Sequence, residues 1–301
     1  MCLARHTGRV TTLDPAPAHD PADGPAPAPH TAPPLPGRSV IRQRWNHFVF
    51  LHWRVDPSRI APLLPAGTRP DTFDGSAWVG LIPFVLSEHA FLPLPPVPGF
   101  GTFVEINVRT YAVDGAGNRS VVFCSLDAEP LPSVMAAQAL FGLPYRWARA
   151  GQRIIDGTIE YRSRRRRGPR LDSRMRALVS DAPVASPMSL APDSVPDARG
   201  ASTRILARPL PRPVDTELSR FLTGRWGFHE TRLGRTIYAR NRHKAWPLVE
   251  AELLALDDGL LAAAGFPELA SRAPDSVLAT PLDHPGLLTE FAAARPATPP
   301  Q

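Results

Sequence analysis

With 301 residues, 43% of them hydrophobic, the chain has the length and apolar content for one large folded domain, which excludes a wholly disordered protein. Its 37 prolines argue against long helices and a long parallel sheet, because each removes a backbone donor and locks φ. The formal charge of +6 is weak evidence for a nucleic-acid partner: nearly all of it is arginine, Lys244 is the only lysine, and so skewed a composition reads as coding bias.

Residues 1–38 are rich in Pro, Ala and His without apolar periodicity and read as a disordered tail, as do residues 291–301. The N-terminus has charge but no apolar stretch of a secretory signal, and no run approaches the roughly 20 apolar residues of a membrane span. A cytoplasmic, reducing location is therefore expected, and Cys2 and Cys124 are not expected to pair. Between the tails, residues 39–290 form a single predicted domain. Phe48 to Val55 is an apolar-aromatic strand, followed by a short helix from Asp56 closed by Pro65. Trp78 to Leu86 is a second strand entered through Asp74-Gly75. Phe103 to Val113 and Arg119 to Ala128 form a hairpin about Asp114-Gly115-Ala116-Gly117-Asn118.

Val134 to Phe141 is a predicted short helix, stopped by Gly142 and Pro144. Strands are predicted at Tyr145 to Ala150, Thr158 to Arg165 and Ile237 to His243, with a long proline-rich loop over 180–213 and a closing helix from Pro247 to Ala264. Many short strands and few short helices point to a mainly β fold, a barrel or a sandwich.

Chemistry concentrates on the hairpin. Period-two alternation puts Val104, Ile106, Val108 and Thr110 on one face of its first strand, and Glu105, Asn107, Arg109 and Tyr111 on the other. Pairing Val113 with Arg119 places Asn107 opposite Ser125 and Glu105 opposite Asp127, and the apolar sets then also coincide. The polar face so built carries two carboxylates, one of which could retain its proton in a barrel interior, and an arginine suited to an oxyanion. The same face in water would be merely a solvated hairpin. His52 shares its strand face with Phe48 and Phe50, as either a core residue or a ligand-binding one. The run Arg162, Arg164, Arg165, Arg166 and Arg167 reads as a solvated strand end, from which Arg165 could reach inward with Tyr161 and Ser163. No histidine pair or Cys-x-x-Cys has metal spacing, so neither metal nor other cofactor is expected.

The runs His52-Trp53-x-Val55-Asp56-Pro57, Asp74-Gly75-x-Ala77-Trp78-Val79-Gly80-Leu81 and Glu105-x-Asn107-Val108-Arg109-Thr110-Tyr111 resemble the bacterial YqjF-like family, whose function is unknown. So do Phe123-x-Ser125-Leu126-Asp127-Ala128, Phe141-Gly142-Leu143-Pro144-Tyr145 and His243-x-x-Trp246-Pro247-Leu248. The resemblance covers about residues 40–285. It implies a closed antiparallel β-barrel similar to acetoacetate decarboxylase, around a small pocket, with the Glu105 face turned inward. The Gly-x-Pro-Lys-Lys segment of those enzymes would fall on Gly142-Leu143-Pro144-Tyr145-Arg146, and their glutamate on Glu105. Tyr145 and Arg146 stand where the lysines belong, so no Schiff base can form there.

The expected function is binding of a small polar or anionic molecule. Glu105 and Tyr145 would be catalytic in a lyase-like enzyme acting on carbonyl or carboxylate compounds, with Arg109, Asn107, Ser125, Asp127, His52 and Arg165 binding substrate. Decarboxylation, dehydration and isomerisation are all compatible. The alternatives are a non-catalytic binding or sensing protein, and a protein-interaction barrel. A membrane partner is not expected, nucleic acid is disfavoured, and a homo-oligomer is compatible with the sequence.

Overall fold

The computed structural model describes residues 31–96, 101–129, 142–166 and 200–297. The predicted helix Val134–Phe141, Arg167 and residues 167–199 lie outside them, as do residues 1–30 of the predicted tail. The described chain is mostly strand: β1 Ser39–Asn46, β2 Val49–Val55, β3 Thr68–Pro70, β4 Ala77–Phe91, β5 Phe103–Asp114, β6 Arg119–Ala128, β7 Tyr145–Ile155 and β8 Thr158–Arg165. There follow β9 Ser202–Pro213, β10 Gly227–Arg232, β11 Arg235–Arg242, β12 Val249–Asp258, β13 Ser276–Ala279, β14 Leu287–Ala292 and β15 Arg295–Pro296. Three short helices punctuate them: α1 Pro57–Ile60, α2 Glu217–Thr223 and α3 Leu260–Ala263. Among the described residues no helix is long and apolar enough to cross a membrane.

The ladders close on themselves. Neighbours run β1, β14, β11, β10, β6, β7, β8, β9, β12, β13, β2, β4, and β4 pairs back onto β1, so 12 strands form a ring. Strand β5 crosses the ring, paired with β4 on one edge and β6 on the other. Closure leaves most strands without a free edge. The sheet is not wholly antiparallel, as the barrel resemblance had implied: β6 runs parallel to β7 and to β10. Neither partner follows β6 through a tight turn, and a longer connection permits the parallel sense.

The β4–β5 wall has an apolar core on each side. Val79, Leu81, Val104, Ile106 and Val108 face one core, with Tyr161, Ile205 and the α3 leucines. Ile82 and Phe84 face the other, with Phe48 and Phe50, continuing to Trp78, Tyr111 and Phe221. A wall covered on both faces needs little alternation, and residues 77–84 are accordingly all buried.

The predicted strands are present, with β4 longer than expected, and α1 starts as predicted. Asp56 caps it by accepting the Ser58 N–H at 2.8 Å. The closing helix is a correction. Val249–Asp258 is strand β12, and only Leu260–Ala263 is helical. Its Ala, Leu and Glu favour a helix in isolation, but pairing with β9 and β13 overrides that preference. The proline-rich loop is corrected in part: Ser202–Pro213 is strand β9. Its prolines 209, 211 and 213 fall beyond Ala207, the last residue paired with β8, on an edge where no donor is required. The second predicted tail, 291–301, also begins within the sheet, at β14 and β15.

Candidate functional site

The hairpin register holds only as far as Arg109. Val113 pairs with Arg119 and Arg109 with Phe123, as expected, and then the register shifts by one residue. Beyond this β-bulge Val108 faces Ser125, Asn107 faces Leu126, Ile106 faces Asp127 and Glu105 faces Ala128. One extra residue exchanges the faces of the end of β6. The expected five-residue polar face is thereby split into two buried clusters on opposite sides of the wall.

Glu105, Asn107, Arg109 and Tyr111 keep the first side. Glu105 is 4% exposed and accepts the Tyr145 hydroxyl at 2.7 Å and the Asn107 amide at 3.4 Å. Burial pushes its carboxyl up to about 7, although the hydrogen bonds from Tyr145 and Asn107 and the charge of Arg109 favour the anion. Burial and the adjoining Glu105 hold the Tyr145 phenol well above its ordinary value, so it is a neutral donor. Tyr145 reaches this point because β7 runs parallel beside β6, with Leu126 opposite Tyr145.

His52 joins from β2. Its Nε2 lies 2.6 Å from the Tyr111 hydroxyl, which also receives Arg109 Nε at 3.3 Å. Assigning the one hydroxyl proton of Tyr111 to the His52 contact makes Nε2 the acceptor and puts the imidazole hydrogen on Nδ1. Burial, then the charges of Arg109 and Arg225, hold His52 well below its ordinary pKa and keep it neutral. The ring fits because Gly80 lies opposite: a Cβ there would sit 3.1 Å from the imidazole. His52 Nδ1 and Asn107 Oδ1 are buried without a hydrogen-bond partner among the described residues. One unmet donor and one unmet acceptor beside a protonatable carboxyl are what a small polar ligand would satisfy.

Beneath the site lies a charge network absent from the sequence reading. Buried Asp71 binds Arg119 in bidentate fashion, at 2.7 and 3.1 Å, and also pairs with Arg225. Burial works against the Asp71 anion, but the two arginines outweigh it and its pKa is lowered. The Arg225 guanidinium lies 4.5 Å from the centre of the Tyr111 ring and 4.4 Å from that of Phe221. Two cations against one anion, with Arg109 nearby, bias this interior toward an anionic ligand. Tyr111 could have been added by alternation; nothing local distinguished Asp71 or Arg225. His243, pushed down to about 4 by burial, and Trp246 close an aromatic wall with Trp45 and Phe48.

Ser125, Asp127 and Arg165 lie across the wall. Arg165 does reach inward, but to Asp127 at 2.9 Å and the Ser125 hydroxyl at 3.0 Å, while Ser163 donates to Asp127 at 3.3 Å. The bulge thus removes Ser125 and Asp127 from the Glu105 cluster, and with Arg165 from β8 they form a self-contained polar plug. Burial raises the Asp127 carboxyl despite Arg165. A third buried set, Ser120, His229 and Asp114, has the composition of a nucleophile relay but not its arrangement. Ser120 Oγ is 2.6 Å from Nδ1, whereas His229 Nε2 lies 3.3 Å from Asp114 Oδ2 without hydrogen-bond geometry. Asp114 accepts the N–H groups of Ala116 and Asn118 and so shapes the hairpin turn. Lys244 is exposed just beyond the end of β11. Among the described residues no three His, Cys, Asp or Glu side chains gather as a metal-binding set.

The family model of an uncharacterized conserved protein, DUF2071, matches residues 42–283. The chain belongs to the DUF2071 family. The uncharacterized protein YqjF of Bacillus subtilis (strain 168) is 30% identical over 213 residues, 71% of this chain and 76% of that one. In fold, the DUF2071 chain is similar to an acetoacetate decarboxylase-like enzyme from Sphingomonas wittichii RW1, with TM-score 0.53, 12% identity, and 87% and 94% of the two chains covered. It is likewise similar to acetoacetate decarboxylase from Legionella pneumophila, with TM-score 0.54, 10% identity, and 93% and 98% covered. The enduracididine biosynthesis enzyme MppR matches with TM-score 0.51, 13% identity, and 87% and 89% covered. At these identities the likeness establishes the fold and leaves the chemistry to the residues.

Proposed function

We propose that this DUF2071 protein acts on a small anionic carbonyl compound inside its closed sheet, by acid–base chemistry at Glu105 and without a Schiff base. The observation that carries the reading is the buried Glu105 carboxyl, raised to about 7 and hydrogen-bonded to Tyr145 at 2.7 Å. A group titrating near neutrality is half-ionised where it must both take and return a proton. Its carboxylate removes a proton from the carbon next to the carbonyl; the electron pair of that C–H bond becomes a carbon–carbon double bond, and the π pair of the carbonyl moves onto its oxygen. His52 Nδ1–H is the neutral donor for that oxygen, Tyr145, whose one hydroxyl proton is held by Glu105, positions the base, and Arg109 anchors the substrate carboxylate. Support comes also from the fold neighbours. MppR has been solved with the condensation product of pyruvate and imidazole 4-carboxaldehyde, an adduct of a small oxo acid, at TM-score 0.50 to this chain.

The test is hydrogen exchange into pyruvate and acetoacetate in D2O, followed by proton NMR, with thermal shift reporting binding. Wild type exchanges the carbon-bound protons of at least one oxo acid. Glu105→Gln still binds it but exchanges at least about 100-fold more slowly, the usual loss for a general base. Arg109→Ala loses the thermal shift. Binding without exchange in wild type makes the chain a non-catalytic binding protein, and exchange unaffected by Glu105→Gln refutes the assignment.

A further inference from the structure

A strongly basic surface lies on a different part of the sheet from the Glu105 cluster. On the outer face of β7, β8 and β9 a cleft of about 640 Å³ is lined by Arg149, Arg153, Arg162, Arg164 and Arg204. The ladders set these residues against one another. Arg149 lies directly opposite Arg164, and Arg162 directly opposite Arg204. Like charges directly opposite on a sheet repel, so two such pairs side by side oppose folding unless anions balance them. The protein's own acids do so only in part. Glu160 accepts from both Arg162 and Arg204, each at 2.7 Å, and Asp257 lies opposite Arg204. Arg149, Arg153 and Arg164 are exposed and have no ion pair among the described residues. Glu129, also at the cleft, lies 3.9 Å from Arg166.

The floor of the cleft is the second observation. Between Arg149 and Arg153 on the same face of β7 stands Gly151, opposite Arg162. Its φ lies outside the left-handed region, so the backbone does not require glycine, and nothing lies within 4 Å of where a Cβ would be. A glycine in mid-strand weakens the strand and opens it to close approach by a ligand. Arginines around a bare stretch of backbone suit tetrahedral oxyanions, which guanidinium groups grip two oxygens at a time.

From this juxtaposition we infer a second binding site, for a small anion bearing two phosphoryl groups, across Arg149, Gly151 and Arg164. The limited volume of the cleft favours a small molecule over a nucleic-acid chain, whose contacts would extend well beyond it. The site stands whether or not the reading of Glu105 is right.

Titration calorimetry of the full chain with inorganic pyrophosphate, in 0.1 M NaCl, tests it. One equivalent binds. Arg149→Ala and Arg164→Ala each weaken binding by about tenfold or more, the value of a charged hydrogen bond, without lowering Tm. Gly151→Val keeps every charge, improves strand propensity and fills the floor; it also weakens binding by about tenfold. Should either alanine variant fail to fold, Arg164→Gln and the glycine variant carry the test. Absence of binding at 1 mM pyrophosphate overturns the inference, and so does undiminished binding by Gly151→Val, which would reduce the cleft to unstructured charge. Tighter binding of a 12-nucleotide RNA, indifferent to Gly151→Val, also overturns it and assigns the surface to nucleic acid.

Discussion

Glu105 couples the proposed chemistry to stability in a way that can be measured without a substrate. Its folded pKa, about 7, lies above that of an unfolded glutamate, so between roughly pH 4.5 and 7 the native state holds a proton that the unfolded state has lost. Stability therefore falls as pH rises through that window, by about 3 kcal/mol from this group alone. Glu105→Gln preserves the shape and the Tyr145 contact without the charge. Relative to wild type it should gain nothing at pH 4.5 and about 3 kcal/mol at pH 8 in urea unfolding, while losing exchange activity. A flat difference between the two proteins across pH would contradict the raised pKa. The neighbouring Gly80 is fixed by a contact. In Gly80→Ala the added carbon meets the His52 ring at 3.1 Å, and a cost of about 1–3 kcal/mol in thermal unfolding is expected, with weakened oxo-acid binding.

At the scale of elements the decisive feature is the bulge in β6. The Phe123 N–H beside it is met by Glu230 Oε1 from β10, at 3.3 Å. Burial pushes Glu230 up to about 8 and, with Glu230 adding to burial, the Cys124 thiol up to about 12, so that cysteine is a poor nucleophile. Glu230→Ala leaves a buried donor unmet and should cost about 1–3 kcal/mol, whereas Glu230→Gln keeps an acceptor in place. Equal stability of the two variants at pH 6 would dismiss the bulge contact. No sequence pattern announced this bulge: alternation through Cys124 is intact on paper, and the shift arises only where β10 and β7 divide the far edge of β6. The misread helix at 247–264 failed for a related reason. Local propensity was sound, but hydrogen bonding to β9 and β13 outweighed it.

For the whole molecule, the Asp71 network ties the segment after β3 to the start of β6 and to the turn after α2, within a sheet closed on itself. Asp71→Asn leaves Arg119 and Arg225 uncompensated in the interior and should cost about 3–5 kcal/mol, far more than replacing a surface partner such as Glu252. Replacing Asp71 and Arg225 together with apolar residues should recover part of the loss, as a double-mutant cycle in urea would show. A cost below 1 kcal/mol for Asp71→Asn would mean that water reaches the network. By itself the sequence determined the mainly β character, most strands up to β8, the turn at Asp114–Asn118, and the family through its ordered motifs. It also determined that Glu105, Asn107 and Arg109 share a face and that no lysine stands at Tyr145. These are local properties, written in alternation, turn residues and short runs. Only the tertiary structure decided that Asp127, Ser125 and Arg165 lie across the wall from Glu105. It alone placed His52, Asp71 and Arg225 around Tyr111, and it alone made strands of β9 and β12. Each of these depends on which edge meets which and at what register, and hydrogen bonds between segments far apart in the chain leave no mark on the residues beside them.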